Sequence, residues 1–182
     1  MMQPRQRYRD EAEAAARALF PGYFKLPRPF AAIFVRGGDK VVERPLYSVE
    51  SYFNALEPYA ISLNITHVYF NSDDARVLSD AVRLYGADSR YILHIPHPDF
   101  TLNLPAFFSS RNYPVLGKAT HSSLHDNSNQ ISLTLADIYL QAQADVRICY
   151  LSSNMCRIID QLALGFGKAA LRIDVSGEYR IQ

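Results

Sequence analysis

Cysteine is nearly absent. Cys149 and Cys156 are the whole supply, too few for a disulfide framework, and the stretch CYLSSNMC between them lacks zinc-ligand spacing. They are expected to be two small buried apolar side chains. A dominant charge is also missing. With 19 basic and 18 acidic residues the net charge is +1, so no global field draws the chain onto nucleic acid or anionic lipid. Any anion recognition must therefore be local. No apolar run approaches the ~20 residues that span a bilayer. The N-terminal stretch MMQPRQRYRDEAEAAARALF is charged and helical, with no apolar h-region for a signal peptide. Neither a leader nor a membrane anchor is expected in this chain, and the compartment is left open.

What is present fits one domain with a sizeable core: 182 residues, 48% hydrophobic and 20% charged. Two patterns alternate. EAEAAARALF reads as a helix ended by Pro21-Gly22, within an N-terminal helical segment over 1–23. FAAIFV (30–35) is a continuous apolar run of the kind found in buried parallel strands. Ser48 caps a helix through SVESYFNALEPYA, and THVYFNS (66–72) is a second strand. DDARVLSDAVRLYG is a helix with an acidic first turn and Gly86 at its stop. RYILHI (90–95) is a third strand. The segment 96–130 is rich in Pro, Ser, Asn and His and reads as a long loop. A helix near 131–143 follows, with Leu135, Ile138, Tyr139 and Ala142 on one face. ADVRICY (144–150) is a strand. The next helix carries Met155, Ile158, Ile159, Leu162 and Ala163 on one stripe and stops near Gly165 or Gly167. AALRIDV (169–175) is the last strand. Strands alternating with helices predict a single α/β, Rossmann-like three-layer domain over 1–182 with a mainly parallel sheet. No internal repeat or second domain is visible.

In such a sheet ligands bind beyond the C-terminal strand ends. Three segments carry suitable residues there: Arg36-Gly37-Gly38-Asp39-Lys40, Ser72-Asp73-Asp74 and Ser152-Ser153-Asn154. The last opens a helix, where free backbone N–H groups and the dipole favour phosphate. Each also has a plain reading: Ser152 as an N-cap, Asp73 and Asp74 as caps, Arg36 as a surface ion pair worth at most ~1 kcal/mol. Their convergence on one sheet edge is what favours a ligand. Asp137 lies on a largely apolar helix and needs a partner, either a structural hydroxyl or amide or a ligand with two adjacent N–H donors such as the guanine edge. His121 and His125 stand four apart in a stretch that reads as loop, with no third ligand set, so no metal site is expected. His94 and His97 flank a proline-stiffened turn.

FAAIFVRGGDKVVERPLYSVESYF, HVYFNSDD and LADIYLQAQADVRICYLSSNMCRI together resemble the donor-binding half of the α1,6-fucosyltransferases. These are the enzymes of core N-glycan and bacterial chitooligosaccharide fucosylation. The family pattern runs H-V-R-R-T-D-K, then T-D-D after the next strand. It continues with L-D-I-H-F-L-x-Q-A-D and C-T-F-S-S-Q-V-C-R, and the three blocks occur here in order across about Phe24 to Ile173. The resemblance implies the donor-binding half of a GT-B-like glycosyltransferase that binds GDP-fucose and transfers fucose to a glycan hydroxyl with inversion and without a metal or other cofactor. It places Arg36 on the diphosphate, Asp137 on the guanine edge, Ser153 on phosphate, and Asp73 with its neighbours, Asp74 among them, along the nucleoside; Asp39 is a further donor-binding candidate. Glu43 becomes the base, after a one-residue gap, with Lys40 beside it. Such a reaction needs a base for the acceptor hydroxyl and charge stabilisation for the leaving diphosphate.

Two departures bear on activity: the family histidine is Phe34 here, and its second arginine is Gly37. Each lost charge-assisted contact of about 1.5–3 kcal/mol is worth a decade or more in rate. These transferases also have an N-terminal acceptor lobe, so transfer calls for that lobe or a partner chain to complete the cleft. Eukaryotic members of the family are Golgi-lumenal. The rival expectation is a non-catalytic nucleotide-sugar-binding or interaction module.

Overall fold

The computed structural model describes residues 6–19, 26–36, 47–87, 89–95, 134–168 and 170–177. Its centre is the stretch FAAIFV, strand β1 (Phe30–Val35), in which every side chain is buried. A six-residue apolar run can be buried this way only with a layer on each face, and that is what surrounds it. Strand β2 (His67–Ser72) pairs parallel to β1 on one side and carries β3 (Ile92–His94) at its outer edge. On the other side β4 (Val146–Cys149) pairs parallel to β1, and β5 (Leu171–Asp174) is the second edge. The sheet order is β3-β2-β1-β4-β5, all parallel. That is the Rossmann-like arrangement the alternating pattern predicts.

Period-two alternation divides the side chains between two cores. Ala31, Ile33, Val35, Val68, Phe70, Val146 and Ile148 face α2 (Val49–Ser62) and α3 (Ala75–Tyr85). Phe30, Ala32, Phe34, Tyr69 and Cys149 face the other layer: α1 (Gln6–Leu19), α4 (described over 134–142) and α5 (Asn154–Gly165). In the first core Phe53 stacks against both Phe70 and Tyr85. Ser48 caps α2 by accepting from the Ser51 N–H, as its position predicts.

Several expectations need correction. Leu135 is exposed, and burial instead runs unbroken from Ala136 to Ala142. The reason is that α4 is enclosed: Tyr139 and Leu140 share a core with α1 and the sheet, while Ile138 and Ala142 pack with α5. Ile158 is exposed although it fits the apolar stripe of α5. The third strand is three residues long, and Ile92 is exposed because β3 is an edge. Helix α3 begins at Ala75, so Asp73 and Asp74 precede it rather than forming an acidic first turn. Cys149 and Cys156 are buried but not separate: they form a disulfide, with Cα atoms 6.3 Å apart where the first turn of α5 folds back over the end of β4. The insertion 96–130 lies outside the described residues.

Candidate functional site

The chain lays down β1, β2 and β3 toward one edge, then returns across β1 to place β4 and β5 on the other. The topological switch therefore falls between β1 and β4, and in open α/β sheets the ligand crevice lies beyond the C-terminal strand ends at that point. Arg36 is the residue directly after β1. In register, Val35 lies beside Ser72 of β2 and Phe34 beside Cys149 of β4. Arg36 consequently stands between the β2–α3 connection and the β4–α5 connection. Its guanidinium, about a quarter exposed, is paired with the Asp73 carboxylate, which is similarly exposed.

The two aspartates after β2 have different tasks. Asp74 is buried and is the N-cap of α3, accepting from the Arg76 N–H at 2.9 Å and from its guanidinium at 2.7 Å. The capping explanation fits Asp74, whereas Asp73 holds Arg36. On the other flank Ser153, not Ser152, is the N-cap of α5, and its side chain makes no capping hydrogen bond. Ser152 and Ser153 are half-buried and Asn154 is exposed, and the opening turn of this 12-residue helix follows directly on the C-terminal end of β4, beside the switch point.

Asp137, on α4, is nearly buried. It is 7% exposed, and its oxygens accept from the Tyr69 hydroxyl at 2.7 Å and from Gln141 Nε2 at 2.8 Å, with the Asn71 amide as a third donor. Burial pushes its carboxyl up to about 6, and the three donors restrain the rise. Of the two partners that the sequence left open, the structure supplies hydroxyl and amide groups. His94 ends β3 opposite Tyr69, short of the strand ends, and bonds across to His67 at 2.8 Å. Burial, then the neighbouring His67, lowers its pKa. Gly37, Gly38, Asp39, Lys40, Glu43, His97, His121 and His125 lie outside the described residues.

Two charge clusters escaped the sequence reading. Arg147, in mid-strand and 4% exposed, bonds Asp160 of α5 at 3.0 Å, and Arg172 of β5 pairs with the same carboxylate at 2.6 Å. The signal was there, an arginine inside the apolar run ADVRICY. Asp145 accepts from the Phe30 N–H at 3.0 Å and from Arg28 at 2.6 Å, tying the starts of β1 and β4 together. Among the described residues, no cluster of three or more His, Cys, Asp and Glu is placed to hold a metal ion, and no helix is long and apolar enough to cross a membrane.

No family model matches the chain. Its sequence is 25% identical over 138 residues to an α-(1,6)-fucosyltransferase of Drosophila melanogaster, a match covering 72% of this chain and 19% of that protein. In sequence, the chain is fucosyltransferase-like. This is the same resemblance that the three ordered motif blocks carry, and the fucosyltransferase-like domain spans only about a fifth of the curated relative's length. Among solved structures, POFUT1 in complex with GDP aligns with a TM-score of 0.48 and 13% identity, over 92% of this chain and 46% of that one. The fucosyltransferase NodZ from Bradyrhizobium aligns with a TM-score of 0.43 and 15% identity, over 87% and 42%. The Rossmann-like assignment of the fucosyltransferase-like domain rests on its own strand order and pairing.

Proposed function

We propose that this domain binds the diphosphate of GDP-fucose in the crevice between β1 and β4 and, completed by an acceptor lobe or partner chain, transfers fucose to a glycan hydroxyl with inversion. The observation that carries the reading is the pairing of elements at the switch point. Arg36 leaves the central strand beside the N-terminus of α5, whose Ser153 hydroxyl is not spent on capping. A cation, a hydroxyl and free N–H groups on two sides of one crevice match the charge and acceptor pattern of a diphosphate. The sequence likeness to an α-(1,6)-fucosyltransferase supports fucose as the sugar, and the motif resemblance to that family supports GDP as its carrier. Asp39, Lys40 and Glu43 follow Arg36 in sequence, and the reading gives Glu43 the acceptor proton and Lys40 the developing negative charge.

A second reading is favoured by Phe34 and Gly37, which stand where the family pattern has histidine and arginine. On that reading the domain binds the donor without transferring it. Calorimetric titration with GDP, GDP-fucose, GDP-mannose and UDP separates the cases. Guanine nucleotides are expected to bind and UDP to bind more weakly. Arg36→Gln should weaken GDP by roughly 10–100-fold, the worth of one charge-assisted contact. No guanine-nucleotide binding at millimolar concentration sinks the donor site. Binding with no transfer to any glycan acceptor, even with an acceptor lobe supplied, leaves the module. If transfer is observed, Glu43→Gln should abolish it while GDP still binds.

A further inference from the structure

We propose that the Cys149–Cys156 disulfide positions the phosphate-facing turn of α5: it holds that turn as a side-chain cap usually does, but leaves open the N–H groups that a diphosphate needs. The proposal rests on the GDP-sugar reading above.

A helix N-cap normally accepts from the N–H of the second or third helical residue, which orders the first turn and occupies one of its donors. Ser153 is the N-cap of α5, and its side chain makes no such bond. Its own N–H is committed to the Tyr150 carbonyl at 2.9 Å, and the next backbone bond runs from the Arg157 N–H to the Ser153 carbonyl at 3.2 Å. Between them, the N–H groups of Asn154, Met155 and Cys156 have no acceptor among the described residues. Three adjacent open donors at a helix start suit an anion. Their own hydrogen bonding, however, does nothing to hold the turn in place.

A covalent bond supplies that hold. Cys149 is the last residue of β4 and Cys156 the third of α5, so the bridge closes a ring that contains Ser152, Ser153 and Asn154. Both cysteines are buried, and they share a core with Phe34, Ile138, Ala142 and Ile159. Phe34 lies beside Cys149 in register, two residues before Arg36. One end of the bridge is thereby anchored where β1 and β4 pair, just below Arg36, and the other end carries the third open N–H. Donors ordered before the ligand arrives bind it more tightly than donors that must be ordered by it.

The test opens the bridge with Cys149→Ala and Cys156→Ala together, with folding checked by circular dichroism. GDP, UDP and inorganic pyrophosphate each bring a diphosphate, so all three should weaken by one common factor, on the order of tenfold. Unchanged binding of GDP and pyrophosphate overturns the proposal. Adding Ser153→Asp to that variant gives α5 a capping carboxylate. Thermal stability should recover while binding falls further, because the carboxylate occupies the donors and repels phosphate. Binding that recovers along with stability would show that the bridge acts through overall stability alone, and overturns the proposal too. The parent chain gives a readout that needs no variant. A ligand that prefers the bridged form must by linkage stabilise the bridge. Saturating pyrophosphate should therefore make the bridge harder to reduce at equilibrium with dithiothreitol, by about 30 mV for a tenfold preference. In a chain that binds pyrophosphate, no shift refutes positioning.

A ligand-free measurement separates this inference from the donor site itself. Backbone amide order parameters from NMR relaxation at Ser153, Asn154, Met155 and Cys156 should fall when the bridge is opened. Order that stays unchanged refutes positioning whether or not any nucleotide binds. Order that falls in a chain that binds no guanine nucleotide removes the donor reading alone.

Discussion

Asp137 carries a cost that its neighbours relieve only in part. Burial lifts its carboxyl from the ordinary 3.8 to about 6 despite three donors, a difference of roughly 3 kcal/mol between the protonation states. Because the folded-state pKa lies above the unfolded one, the folded chain binds the extra proton between about pH 6 and 4. Stability from this group therefore rises as pH falls through that window and is lowest above it. Denaturant unfolding of the parent chain and Asp137→Asn at several pH values checks the sign. The parent should gain on the variant from pH 7.5 to pH 4, by up to ~3 kcal/mol. A gap that is flat or runs the other way would mean that Asp137 is not held in this buried network. Arg36 is governed differently: its partner Asp73 and its surroundings are partly solvated, so its ion pair adds little stability and its importance lies in what it offers a ligand.

Two glycines at helix ends act for different reasons, and each is testable as an element-level change. Gly86 closes α3 with an ordinary right-handed backbone, φ −79°, but a Cβ there would stand 2.4 Å from the Val82 carbonyl oxygen. Gly86→Ala should cost about 1–3 kcal/mol because backbone must move. Gly167, just beyond α5, has φ +69° and open space around it. Gly167→Ala should cost about 1–2 kcal/mol through conformation alone. Chemical denaturation of both variants measures the difference. Across β4, α5 and β5, Asp160 is the carboxylate that the buried Arg147 and the half-buried Arg172 share, and two Arg147 nitrogens have no hydrogen-bond partner among the described residues. Asp160→Asn leaves two guanidiniums without their counter-charge and should destabilise by about 3–5 kcal/mol. Replacing Arg147 and Asp160 together by leucine should restore much of that loss. A thermal midpoint for the double variant no better than for the single one would show that the ion pair is not what holds α5 to the sheet.

At the scale of the whole molecule, ligand and fold are linked by mass action. A nucleotide present at about a hundredfold its Kd adds ~2.7 kcal/mol, which for a domain of this size lifts the thermal midpoint by about 5–11 °C. GDP should do so and UDP should do so less. Much of this architecture is legible in the chain because it depends on local pattern. The apolar run FAAIFV could only be a doubly covered strand, Ser48 could cap because it precedes a helical period, and alternation of strands with helices left a parallel sheet as the natural packing. The candidate edge was legible for the same reason, since Arg36, Ser72-Asp73-Asp74 and Ser152-Ser153-Asn154 each follow an apolar strand.

What the sequence by itself determined is the order of elements, the parallel sheet that this order implies, and the polar residues set at its strand ends. These follow from periodicity and from backbone groups that need caps, both of which act over a few residues. Only the tertiary structure decided which of those polar residues is occupied. Asp74 rather than Asp73 caps α3, the Ser153 side chain is left out of its cap, Asp137 is turned inward to Tyr69, Asn71 and Gln141, and Cys149 meets Cys156. Those outcomes depend on partners brought from other elements. A buried carboxylate or thiol takes whichever neighbour the packed layers place against it, and that neighbour is not written beside it in the chain.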